Sequence, residues 1–97
     1  MRLTAEQIAA IRRTAAEMFG TGARVWLFGS RVDDQGVGGD IDLLIETQAK
    51  AELRQTLRAQ VLLEQALGEP VDLITSSPQQ VERPIERIAR LTGVPLT

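Results

Sequence analysis

Apolar positions recur every three or four residues near the start of the chain, at Ile8, Ile11, Ala15 and Met18. That is the period of a helix with one buried face. Thr4-Ala5-Glu6-Gln7 in front of it reads as a capping box, with Thr4 as N-cap and Gln7 at N3. Gly20 and Gly22 end the segment. The pattern then changes. Arg24 to Phe28 is a short β-rich run, residues 31–39 hold three glycines and two aspartates and form a loop, and Asp40 to Glu46 makes a second strand. Helical spacing returns from Lys50 to Leu67, with Leu53, Leu57, Val61 and Leu62 as its apolar positions and Gly68 as its stop. Val71-Asp72-Leu73-Ile74 is a third short strand, and Ser76-Ser77-Pro78 is a turn or a helix start. Pro84 to Leu91 reads as a helix that carries its proline at N1, and Val94-Pro95-Leu96 as a last extended segment.

The order is helix, strand, loop, strand, helix, strand, helix, with no repeat or linker. It fits one domain over residues 1–97. A short loop between strands one and two suits an antiparallel pair, whereas the long helix between strands two and three suits a parallel crossover. A mixed sheet built this way gathers Ser30, Asp40, Asp42 and Asp72 at one end.

Asp40 and Asp42 give that end its chemistry. Side chains alternate along a strand, so the two carboxylates project from one face, about 7 Å apart. Like charges at 4 Å repel by about 4 kcal/mol at an effective dielectric near 20. A fold gains nothing from such a pair unless a cation occupies the space, and oxygen donors suit a hard divalent ion such as Mg²⁺. A lone Asp-x-Asp would read as a solvated strand end. Gly29-Ser30 upstream and Asp72 downstream turn the reading towards a metal site.

Composition narrows the choice further. There is no cysteine and no histidine, which excludes thiolate and zinc-type sites and any histidine-dependent acid–base chemistry. An enzyme of this sequence must work with carboxylates, hydroxyls, arginines and a bound metal. The net charge is −2 and the pI near 5.1, so direct nucleic-acid binding is not expected. No apolar run reaches the ~18 residues of a membrane span, and the first residues lack a signal-peptide pattern, so a cytoplasmic location is the expectation.

Gly29-Ser30, nine intervening residues, Asp40-Ile41-Asp42 and a later strand bearing Asp72 resemble the nucleotidyltransferase superfamily of the DNA polymerase β type. The similarity is greatest to its smallest branch, the minimal nucleotidyltransferases, and covers nearly the whole chain. The resemblance implies an α+β fold with a short mixed sheet in order 1-2-3 flanked by helices. It also implies transfer of a nucleoside monophosphate from a triphosphate to a hydroxyl, with ATP as substrate and two Mg²⁺ ions as cofactors. Asp40, Asp42 and Asp72 would be the catalytic and metal-ligating residues, and Gly29, Ser30 and Arg31 would bind nucleotide. Two metals bridging the reacting oxygens stabilise both ends of an in-line displacement. Such transfer rests on positioning and charge neutralisation, so the missing histidine is no obstacle.

The chain departs from the family pattern in two places. Val32-Asp33-Asp34 stands where relatives often carry another small residue, an arginine and a glycine, and Gly39 replaces the serine that commonly precedes the first aspartate. The first change removes a positive charge and adds two negative ones beside the triphosphate.

The remaining features read structurally. Trp26 and Phe28 belong to the core, and Arg83, Arg87 and Arg90 form a solvated face paired with Glu82 and Glu86. The 36–39 loop could close over a nucleotide or be a plain hairpin loop. The resemblance implies an antitoxin encoded beside a HEPN-family toxin, neutralising it by adding AMP to a tyrosine. This chain has no tyrosine of its own, so the acceptor lies elsewhere. The alternatives are an antitoxin that masks the toxin by contact alone and, behind it, a transferase acting on a small molecule of the aminoglycoside type.

Overall fold

The computed structural model describes residues 2–33 and 39–97. Helix α1 (Ala5–Phe19) begins at the expected capping box: the Gln7 N–H donates to the Thr4 hydroxyl and the Thr4 N–H donates to the Gln7 side chain, each at 3.0 Å. Strand β1 (Arg24–Phe28) runs into a 3₁₀ turn (Gly29–Val32), and β2 (Ile41–Glu46) follows. Helix α2 (Leu53–Leu67), β3 (Val71–Ser76), α3 (Pro84–Thr92) and the two-residue β4 (Val94–Pro95) complete the order. Strand β2 starts one residue later than the pattern suggests, α2 starts at Leu53 rather than Lys50, and β3 runs on to Ser76.

The four strands form one sheet in the order β3-β2-β1-β4. Strands β1 and β2 are antiparallel, β2 and β3 are parallel, and β4 adds to the free edge of β1. The expected order 1-2-3 is therefore present, extended by one strand. Alternation divides the sheet into two faces. Val25, Leu27, Ile41, Leu43, Ile45 and Val71 pack with Ile11, Ala15, Leu63 and Leu67 of α1 and α2 in the larger core. The opposite face carries Trp26, Phe28, Leu44 and Ile74, covered by Ala89 of the short helix α3. Asp42 and Asp72 lie on this second, thinly covered face. Gly93 allows α3 to hand over to β4, because a Cβ there would stand 2.3 Å from the Ala89 carbonyl oxygen and 2.7 Å from that of Leu27.

Helix α2 settles what its apolar positions left open. Its buried residues are Ala59, Leu63 and Leu67, whereas Leu53, Leu57 and Val61 are 74%, 52% and 51% exposed. The helix carries two apolar stripes at i, i+4, i+8 spacing, and periodicity alone does not say which one faces the sheet. Two side chains fix the choice: Gln55 donates to the Met18 carbonyl on α1, and the Thr56 hydroxyl meets that of Thr75 on β3.

This assignment is checked by chemical denaturation. Leu63→Ala should cost about 2–5 kcal/mol as a buried truncation, whereas Leu57→Ala should stay within about 0.5 kcal/mol.

Candidate active site

The parallel register of β2 and β3 sets Asp42 directly beside Asp72, while the antiparallel register of β1 and β2 sets Phe28 opposite Asp42. The turn that follows Phe28 therefore passes over the Asp42 carboxylate. Gly29 makes this possible. Its φ of +75° is left-handed, and a Cβ built on it would fall 2.2 Å from Oδ2 of Asp42 and 3.1 Å from Cγ. Any other residue is strained by its backbone and collides with the carboxylate. The Asp42 carboxylate fills the space that the missing side chain of Gly29 leaves.

Ser30 follows on the exposed 3₁₀ turn. Its hydroxyl lies against Gly39, where a Cβ would come within 2.3 Å of Oγ. Glycine in place of the family's usual serine thus belongs with this placement of Ser30. Asp40 sits one residue before β2 and is exposed.

The electrostatics record how close the carboxylates are. Burial pushes the Asp42 pKa up, and the charge of Asp72, a hydrogen bond between the two carboxyls and the charge of Asp40 push it further. Every one of these causes disfavours the ionised form. Among the described residues no three acidic side chains are gathered closely enough to enclose an ion by themselves. A cation held by Asp42 and Asp72 would complete its shell with oxygens from outside the acidic side chains. Mg²⁺ does so readily, because it is usually bound through one or two carboxylates together with waters and substrate phosphates. The donor set is all hard oxygen, the two carboxylates need a positive charge, and the missing Cβ of Gly29 keeps Oδ2 of Asp42 clear. These residues fit a divalent cation.

Arg31 is placed differently from a free phosphate ligand. Its guanidinium pairs with Glu69, donates to the Gly39 carbonyl at 3.3 Å and donates to the Arg2 carbonyl at 3.1 Å. The hydrogen bond from Arg31 holds the Glu69 carboxyl below its ordinary pKa, and one from Gln7 assists. Arg2, which no local pattern singles out, completes the clamp: it donates to the carbonyls of Ser30 (3.0 Å) and Asp33 (2.9 Å), and its N–H donates to that of Arg31 (2.8 Å). The Ser30 turn is thereby held by a terminal residue and by the loop that leads into β3. Of the two extra aspartates, Asp33 ends the turn, whereas Asp34 and most of the 36–39 loop lie outside the described residues.

At the far end of the same sheet face, two of the three arginines make the pairings with Glu82 and Glu86 that were expected. Arg83 pairs with Glu86 at 2.6 Å and Arg90 with Glu82 at 2.6 Å. Arg83 is the N-cap rather than a helical residue. Arg90 also reaches Glu46 and the Ser76 hydroxyl, 6.0 Å above the Trp26 ring, which is cation–π range. Glu86 is not solvated as expected but 2% exposed. Burial acts to raise its pKa, yet hydrogen bonds from Arg83 and Ser76 outweigh burial and hold the carboxyl down.

The Asp42 shift has a consequence for stability. Its folded pKa lies above the unfolded value, so the folded state holds the proton more tightly. The stability this contributes is present at low pH and is lost as pH rises through the raised value. Asp42→Asn removes the repulsion. Without added metal it should raise the Tm at neutral pH, and the gain should vanish below about pH 3, where the wild-type carboxyl is protonated in both states. Thermal melts across pH measure this, since even about 0.5 kcal/mol moves the Tm by about 2–4 °C in a domain of this size.

Residues 8–92 match the nucleotidyltransferase domain family. Comparison with curated proteins finds no significant match.

Proposed function

The chain belongs to the nucleotidyltransferase domain family, and from that premise we propose that it transfers AMP from ATP to a hydroxyl of a partner protein, with Mg²⁺ held at Asp42 and Asp72. One observation carries the proposal: two carboxylates in register on parallel strands, repelling each other beside a glycine–serine turn. Asp40 stands next to them as a further ligand for a second ion.

Each residue then has a distinct task. Asp42 and Asp72 hold the cation, which when bound neutralises phosphate charge and polarises the attacking hydroxyl. Ser30 offers its hydroxyl and the turn's backbone N–H groups to the triphosphate. Gly29 keeps the Asp42 carboxylate clear of the turn, and Arg31 with Arg2 fixes the turn's position. In the transfer, the acceptor oxygen bonds to the α-phosphorus and the bond to the bridging oxygen of pyrophosphate breaks. The acceptor proton passes to a carboxylate, for which exposed Asp72 is the better placed base.

The acceptor is a tyrosine of a helical HEPN-type toxin encoded beside this chain, and the pair forms a hetero-oligomer in the cytoplasm. The absence of any tyrosine here supports an acceptor on another protein. A second reading has one observation in its favour: the arginine of the Gly-Ser-Arg turn is occupied by Glu69. With that cation engaged, triphosphate binding is weakened, and the chain would neutralise its partner by contact alone.

Intact-mass measurement of the neighbouring gene's product, after incubation with this protein, ATP and Mg²⁺, separates the two. The enzymatic reading expects a gain of one AMP, reduced at least about 100-fold by Asp42→Ala, beyond the range typical of losing an outer-shell partner. Neutralisation that survives Asp42→Ala combined with Asp72→Ala would leave contact as the mechanism.

A further inference from the structure

The exposed stripe on α2 is a candidate surface on the opposite side of the sheet from the carboxylates. Leu53, Leu57 and Val61 follow one another at i, i+4, i+8 and each is at least half exposed. At about 100° per residue they span about 80° of the helix circumference. Arg54 and Arg58 come next around the circumference, on the side facing solvent, and form no ion pair among the described residues. The other border of the stripe turns towards β3, where Thr56 meets Thr75.

The stripe does not end at the helix. Leu53 also lines a cavity of about 710 Å³ between the start of α2, the outer strand β3 and the segment before α3. Val81, 91% exposed, and Lys50 also line it. The apolar stripe thus runs along α2 from Val61 to Leu53 and reaches a cavity of mixed lining, where Thr56, Thr75, Gln79, Gln80 and Glu86 accompany Val81. Lys50, Arg54 and Arg58 lie beside it in a chain whose net charge is negative. Single exposed apolar residues need no explanation, but a contiguous stripe beside a charged border marks an interaction site.

We propose that this stripe receives an amphipathic helix of a partner protein whose apolar face is edged by aspartate or glutamate. The i, i+4, i+8 spacing matches the way one helix lays its apolar side chains along another. The unpaired Arg54 and Arg58 select an acidic edge over a basic one. Because the stripe lies on α2, which covers the face away from Asp42 and Asp72, a helix seated along it leaves the carboxylate site open, and binding and transfer can proceed together.

Two labelled helical peptides with the same leucine stripe, one edged with glutamate and one with lysine, test this by fluorescence anisotropy at low and moderate salt. The glutamate peptide should bind at least tenfold tighter than the lysine peptide. Leu57→Gln with Val61→Gln should abolish binding with little change in Tm, and Arg54→Glu with Arg58→Glu should reverse the preference. Equal binding of the two peptides, or binding of neither, overturns the proposal. So does wild-type dimerisation in light scattering that Leu57→Gln with Val61→Gln breaks, because the occupant would then be a second copy of this chain.

Discussion

The pairing of β2 with β3 in parallel register is the constraint on which the rest of the structure depends. It places Asp42 beside Asp72, and folding by itself gains nothing from the arrangement. Burial and two like charges all push the Asp42 proton affinity up. Hydrophobic residues on either side hold the strands in that register: Ile41, Leu43 and Ile45 are completely buried under α1 and α2. A slip by one residue would bring these side chains out to the other face. The core thus enforces a juxtaposition that electrostatics opposes, a local cost of the kind that clusters at functional sites.

The surrounding elements are arranged around that pair. The Gly29–Val32 turn crosses over Asp42 only because Gly29 has no side chain. The turn is fixed in place by Arg2 and Arg31, which tie it to the chain's first residues and to Glu69 at the entrance to β3. One end of the sheet face is thereby left acidic and open. The other end is closed by α3, with Arg90 spread over Trp26 and paired to Glu46 and Glu82.

Much of this was legible in the sequence because it is local. The capping box at Thr4, the glycine stop at Gly68, the proline at the start of α3 and the strand alternation around Asp42 are written in neighbouring residues. The parallel crossover followed from the length of the segment joining β2 to β3. Two other features depend on contacts far apart along the chain. The clamp on the Ser30 turn joins Arg2, Arg31 and Glu69, none of which has a neighbour announcing the role. The orientation of α2 was not legible because its two apolar stripes have the same spacing, and only packing against Met18 and Thr75 distinguishes them. Glu86 was read as solvated because nothing in its local sequence reports that α3 turns it inward.

The claim at the centre is that Asp42 and Asp72 tolerate each other because a divalent cation, brought together with a nucleotide, resolves their repulsion. Calorimetric titration of ATP into the wild-type protein and into Asp42→Asn with Asp72→Asn, each with and without Mg²⁺, addresses it most directly. Mg²⁺ should tighten ATP binding to the wild type and have no such effect on the double variant. ATP binding to the wild type that is indifferent to Mg²⁺, or a Mg²⁺ effect retained in the double variant, would contradict it.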